Sequence, residues 1–174
     1  MHYTLPDAIA ILSRTPRTLH TLLSGLPSAW TDATEGTGTW SPRAVVAHLL
    51  SADSTNWIGR ARIMLSNDGC PALPAFDPNA QVRDWSHSTL DDLLSQFERV
   101  RRENIALLVR WKPGEHELAR TAMHPEFGIV TMSQLLSTWV AHDLSHIGQI
   151  ARVMARQYQD AVGPWATYLR IMQR

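Results

Sequence analysis

The chain has 174 residues, enough for one substantial hydrophobic core, and 44% of them are hydrophobic, well above the disordered range. Lys plus Arg and Asp plus Glu both number 16, so the formal charge is zero, which excludes an electrostatic footprint for nucleic acid or an anionic membrane. One cysteine, Cys70, rules out an intramolecular disulfide; no apolar run approaches a membrane span, and residues 1–17 lack the early basic region and cleavage site of a signal peptide. The expectation is a soluble cytoplasmic protein with a single domain over residues 1–174 and no nucleic-acid or membrane partner.

The first helical pattern opens at Pro6-Asp7. Ala8, Ile9, Leu12, Leu19, Leu22, Leu23 and Leu26 recur near helical period until the stop at Gly25-Leu26-Pro27. Pro16 lies inside this run and predicts a kink or break. Residues 28–40 form a polar connection rich in Thr and Gly. Ser41-Pro42 then supplies an N-cap with proline at the first helical position, starting a second helix from 42 to 66 or 67. On one of its faces Ala44, His48, Ser51, Thr55, Ile58 and Leu65 line up. The small residues around His48 either leave room for a cavity or permit close helix packing.

Residues 67–87 carry three prolines and an Asn-Asp-Gly turn, and no periodicity. They predict a long crossover loop over the surface, with Cys70 as an ordinary loop residue. Ser88 with Asp91 predicts the start of a third helix, whose row is Leu90, Leu94, Phe97, Arg101, Asn104, Leu108 and Trp111. Arg101 on this apolar row has two readings. Its fork binds an anionic or carboxylate group in a pocket, or its stem packs while the head reaches solvent. Lys112-Pro113-Gly114 ends the helix, and the connection to 130 contains His116 and His124, the latter near the start of the next element.

The fourth helix covers 131–158. Thr131 caps it, and Gln134 reaches back in a capping box. Leu135, Trp139, His142, His146, Gln149 and Val153 follow at spacings of four and three, forming one seam. After the stop at Val162-Gly163-Pro164, a short C-terminal helix runs to about Met172, with Trp165, Tyr168 and Leu169 expected to cap one end of the bundle. The elements add up to an all-α protein: a four-helix bundle with long crossover connections and a short C-terminal helix. Connections of this length do not require simple up-down order.

The chemistry concentrates at His142 and His146. Residues four apart on a helix stand about 40° apart and about 6 Å higher, near enough to hold one ion together. Eight histidines make such a pair an ordinary coincidence, and two core imidazoles satisfied by hydrogen bonds are the plain alternative. The seam register favours a metal, because adjacent buried imidazoles need water or a shared cation. His48 is the candidate third ligand. Three histidines with an open position describe a catalytic or ligand-exchanging site, and neutral imidazoles select Zn2+, Ni2+ or similar ions over Mg2+ or Ca2+. Gln149 is a candidate hydrogen-bond partner behind the ligands or in the pocket, and Trp139 a candidate pocket wall. Asp143 in His-Asp-Leu-Ser-His occupies the place of the zincin glutamate; a general base, a hydrogen bond behind the ligands and a surface salt bridge all remain open for it.

The segments WSPRAVVAHLL (40–50), HPEFGIVTMSQLLSTWVAHDLSHIGQIARVMARQY (124–158) and VGPWATYL (162–169) resemble the DinB-like four-helix-bundle proteins, also called the DinB/YfiT-like metalloenzymes. The resemblance spans essentially the whole chain. It implies that His48, His142 and His146 are the metal triad, that the ion is zinc or nickel, that the helix order is unusual and that the protein is a homodimer. It also implies activation of a low-molecular-weight thiol in S-transfer to a small-molecule substrate, while water in the same open position would support hydrolysis. The competing expectation is a metal-binding or metal-independent interaction or stress-response module without catalysis.

Overall fold

The computed structural model describes residues 4–66, 69–80 and 85–173; the expected turn at Asn67-Asp68 lies outside them. Pro16 divides the first helical run into α1 (Leu5–Leu12) and α2 (Thr15–Leu23). Its ring would clash with the carbonyl four residues back, and at the start of a new helix its missing N–H is harmless. A single turn, α3 (Ser28–Thr31), follows. The second run starts as α4 (Pro42–Thr55), with Ser41 Oγ accepting from Ala44 N at 3.2 Å. It is interrupted at Asn56 and resumes as α5 (Trp57–Ser66). The Ser54 and Thr55 hydroxyls donate back to the Leu50 and Ser51 carbonyls at 2.8 and 2.9 Å, a pattern that bends helices.

The third long helix, α6 (Leu90–Trp111), starts one residue later than expected. Thr89 and Asp92 form its capping box, whereas Asp91 accepts from the Ser24 hydroxyl at 3.3 Å. The connection after α6 is more ordered than its sequence suggests. It contains a single turn, α7 (Glu115–Leu118), and an antiparallel hairpin of β1 (Thr121–His124) and β2 (Gly128–Thr131), pairing Thr121 with Thr131 and His124 with Gly128. Four-residue strands are too short for alternation to stand out in sequence. Leu73 N donates to the Met123 carbonyl and Met123 N to the Pro71 carbonyl, both at 2.9 Å. The crossover loop is thereby pinned to the hairpin.

Thr131 and Gln134 cap α8 (Met132–Arg156) as the sequence predicts. The short C-terminal helix takes the form of two 3-10 helices, Gly163–Tyr168 and Arg170–Met172, the geometry that short helical pieces favour. Trp165 is 69% and Tyr168 81% exposed, so neither caps the bundle. Among the described residues no helix is long and apolar enough to cross a membrane.

The consecutive helices α4 and α5 pack beside α6 and α8, and α1 touches the same two. With α2 also against α6, α6 and α8 stand on a diagonal of the bundle, which simple up-down order would not produce. The apolar core falls into two blocks. One holds Leu12, Trp57, Met64, Leu108, Leu135 and Trp139; the other holds Leu19, Val45, Leu49, Leu93, Phe97 and Ile150. Between them along α4, α6 and α8 lie His48, Asp53, Arg101, Asn104, His142 and Asp143. This polar layer positions the site.

Candidate metal centre

His48 projects from α4, and His142 and His146 project one turn apart from α8, so the packing of these two helices brings the rings together. His142 Nε2 lies 3.1 Å from His48 Nε2 and 3.2 Å from His146 Nε2. All three residues offer a nitrogen within 4.8 Å of the others. A tetrahedral ion with bonds of about 2.0–2.1 Å separates its ligand nitrogens by about 3.3 Å. The two measured edges have that size.

The outer ring nitrogens fix which face points inward. Pro78 O can only accept, and it lies 3.1 Å from His48 Nδ1, so Nδ1 carries the proton and Nε2 presents its lone pair. His146 Nδ1 donates to Gln149 Oε1 at 2.8 Å, with the same consequence for its Nε2. His142 Nδ1 is buried without a hydrogen-bond partner among the described residues. Burial, then the neighbouring His146 and His48 rings and Arg101, push His142 down to about 3. Burial also lowers His146, against the opposite pull of Gln149 and Asp143. His142 and His146 are both pushed toward the neutral form, which is the ligand form.

Aromatic side chains wall the cluster. Trp40 lies 4.6 Å from His48 and 6.1 Å from His146 between ring centroids, Phe76 meets His48 edge-on at 5.9 Å, and Trp57 meets His142 edge-on at 5.1 Å. Trp139 is not one of these walls. It is fully buried one layer deeper, stacked 6.0 Å from Trp57, with Nε1 donating to Asp53 Oδ1 at 3.1 Å. A buried indole needs an acceptor, and Asp53 supplies it.

The Arg101 fork does bind carboxylates, as its first reading expects, but they are Asp53 and Asp143 of the chain itself, and the head does not reach solvent. Only 1% exposed, it donates through Nε and Nη2 to Asp53 at 2.6 and 2.9 Å and through Nη1 and Nη2 to Asp143 at 2.5 and 3.0 Å. Nη1 also donates to the Leu12 carbonyl at 2.9 Å, and Asn104 Nδ2 donates to the Asp53 carbonyl at 2.8 Å. Burial alone would lower the Arg101 pKa, but Asp53 and Asp143 outweigh it and hold the guanidinium above its ordinary value. Burial pushes the Asp53 carboxyl up, against the pull of Arg101. Asp143 is spent on this pairing and turns away from the histidines, unlike a zincin base.

His124 does not join the cluster. It sits in the hairpin, stacked on Phe127 at 4.6 Å, with Nδ1 accepting from Glu126 N at 3.2 Å. Sequence reasoning missed Asp53, Trp40, Trp57, Phe76 and Pro78. Asp53 carried the same signal as Arg101, an ionisable residue inside an apolar helix. The loop residues Phe76 and Pro78 carried none.

The DinB superfamily pattern matches residues 11–150, a span that includes all three histidines. A curated protein of Oceanobacillus iheyensis, provisionally named a metal-dependent hydrolase, is 24% identical over 144 residues, covering 82% of this chain and 81% of its own. The fold is similar to that of YfiT from Bacillus subtilis, described as a probable metal-dependent hydrolase with an unusual four-helix bundle topology. That match has a TM-score of 0.77 and 22% identity over 90% of this chain and 94% of the other. The chain belongs to the DinB superfamily.

Proposed function

We propose that the protein is a metal-dependent enzyme of hydrolase type, with His48, His142 and His146 holding one divalent ion. The observation that carries this proposal is the convergence of the three Nε2 atoms, with edges of 3.1 and 3.2 Å and two outer nitrogens anchored by Pro78 and Gln149. An ion held by three neutral imidazoles acts as a Lewis acid and lowers the pKa of a nucleophile in its open position. Pro78 and Gln149 orient the ligand rings. Trp40, Phe76 and Trp57 restrict solvent around them. The ion pairing of Asp143 with Arg101 keeps that carboxylate out of the ligand set.

The names of the similar proteins favour water as the nucleophile. A low-molecular-weight thiol in S-transfer is the finer alternative; it and the homodimer rest on the family resemblance alone, while zinc or nickel rests also on the imidazole donors and the cytoplasmic location on the sequence composition. The test is to load the protein with Zn2+ or Ni2+ and offer it activated esters and amides, then a cellular thiol with an electrophile. Metal-dependent hydrolysis lost in His142→Ala supports the hydrolase. Metal-dependent conjugation without hydrolysis transfers the proposal to thiol chemistry, and metal loading with neither reaction leaves the non-catalytic module.

A further inference from the structure

Two of the three histidines have an oxygen behind the ring, the Pro78 carbonyl for His48 and Gln149 Oε1 for His146. His142 has none among the described residues, and its Nδ1 is covered too closely for a water to touch it. An imidazole that gives its Nε2 lone pair to an ion carries its proton on Nδ1. Once the cluster is loaded, His142 therefore holds a buried N–H that faces no oxygen. A buried donor without a partner destabilises the state that contains it, and each one in a native fold requires an explanation.

The rings around His142 supply one. His48 and His146 lie 5.2 and 4.4 Å away between centroids, and both stand on the Nε2 side, where the nitrogens converge. The remaining ring contact among the described residues is Trp57, at 5.1 Å with 70° between the planes. Trp57 does not address His142 through its own N–H, because its Nε1 makes no hydrogen bond among the described residues. The indole is also held firmly. It is 5% exposed and lies within 12° of parallel to Trp139, whose Nε1 donates to Asp53 Oδ1. The face of an indole is the negative lobe of its quadrupole, and among aromatic side chains Trp attracts positive charge most strongly. A near-perpendicular imidazole is the arrangement in which a ring N–H points into such a face.

We propose that Trp57 is the positioning residue of His142: with the ion bound, His142 Nδ1–H donates into the Trp57 π face. A dication withdraws electron density from the imidazole it binds, so the outer N–H becomes more positive and its attraction to the indole grows as metal arrives. The three ligand rings are then oriented by three different acceptors, a carbonyl, a side-chain amide and an aromatic face. The chain of contacts from Asp53 through Trp139 to Trp57 carries the order of the buried polar layer to the metal centre.

The proposal rests on the three-histidine metal reading and not on the reaction. Load 15N-histidine-labelled protein with Zn2+, which is diamagnetic, and record the ring N–H protons, assigned by through-bond correlation. A proton over an aromatic face is shielded, whereas one bonded to oxygen is deshielded, so His142 Nδ1–H is expected well upfield of the His48 and His146 ring N–H protons. Trp57→Leu is expected to lose that shift, and to lose about three- to tenfold in Zn2+ affinity by chelator competition. Trp57→Phe keeps an aromatic face and is expected to retain the upfield shift and most of the affinity. A His142 Nδ1–H resonating downfield with the other two overturns the proposal whether or not the variants fold, and equal affinity of the folded Leu and Phe variants overturns it as well. Protein that takes up no Zn2+ overturns the metal reading and this proposal with it, whereas loaded protein that hydrolyses nothing overturns the hydrolase reading alone.

Discussion

His142 and Asp143 are neighbours in the chain and project from different faces of one helix. His142 Nε2 lies 3.1 Å from His48 Nε2, whereas Asp143 Oδ2 accepts from Arg101 Nη1 at 2.5 Å. The step of about 100° between successive helical residues therefore separates a ligand cluster from the ion triad that braces it. Resemblance of His-Asp-Leu-Ser-His to a zincin motif stops at the spacing, since the acid that would act as base is already paired.

That triad joins the two blocks of the core, and its energetic role is asymmetric. Removing one partner of a buried ion pair costs about 3–5 kcal/mol because a charge is left uncompensated. Arg101→Met is expected to destabilise the protein by about that much in urea unfolding. Replacing Arg101, Asp53 and Asp143 together by apolar residues of similar volume is expected to recover most of the loss. A single replacement within about 1 kcal/mol of the parent would contradict the role assigned to the triad.

Gln149 holds His146 through Nδ1 at 2.8 Å. Gln149→Leu removes that acceptor and frees the ring to rotate. Metal affinity measured by chelator competition is expected to fall about 10- to 100-fold, the usual consequence of losing such a partner, with little change in the circular dichroism spectrum. Unchanged affinity would mean that the ring is held by packing alone.

Acid sensitivity follows from His142. Burial and the two neighbouring imidazoles hold its folded pKa at about 3, against an ordinary value of 6.5. Above pH 6.5 the ring is neutral in both states and its contribution is intact. As pH falls from 6.5 toward 3 the unfolded chain takes up a proton that the folded one resists, and stability declines. At about 1.4 kcal/mol per pKa unit the loss amounts to a few kcal/mol. Metal-free protein is expected to lose stability across this window, and His142→Ala to flatten that part of the profile. An equally steep profile in the variant would assign the slope to other groups.

How much of this was legible beforehand depends on the physical signal each part leaves. Thr131, Gln134 and the seam through His142 and His146 were readable because a capped 25-residue helix repeats its pattern many times. The break at Pro16 was readable because proline acts locally. The β1–β2 hairpin was not, since four residues per strand carry no period, and the exposure of the C-terminal 3-10 helices was not, since Trp165 and Tyr168 look like core residues in sequence. Arg101 and Asn104 stood out as polar residues on an apolar row, but their partner Asp53 lies 48 residues from Arg101. Phe76 and Pro78 reach His48 from a loop without periodicity, and only tertiary structure puts them there.

The most direct test of the account is elemental analysis of protein purified without a histidine tag, after loading with Zn2+ or Ni2+ and removal of excess ion. The account predicts about one equivalent of bound metal per chain, lost in His48→Ala, His142→Ala and His146→Ala variants that retain the parent circular dichroism spectrum. Protein that refuses both ions, or variants that retain the metal, would contradict it.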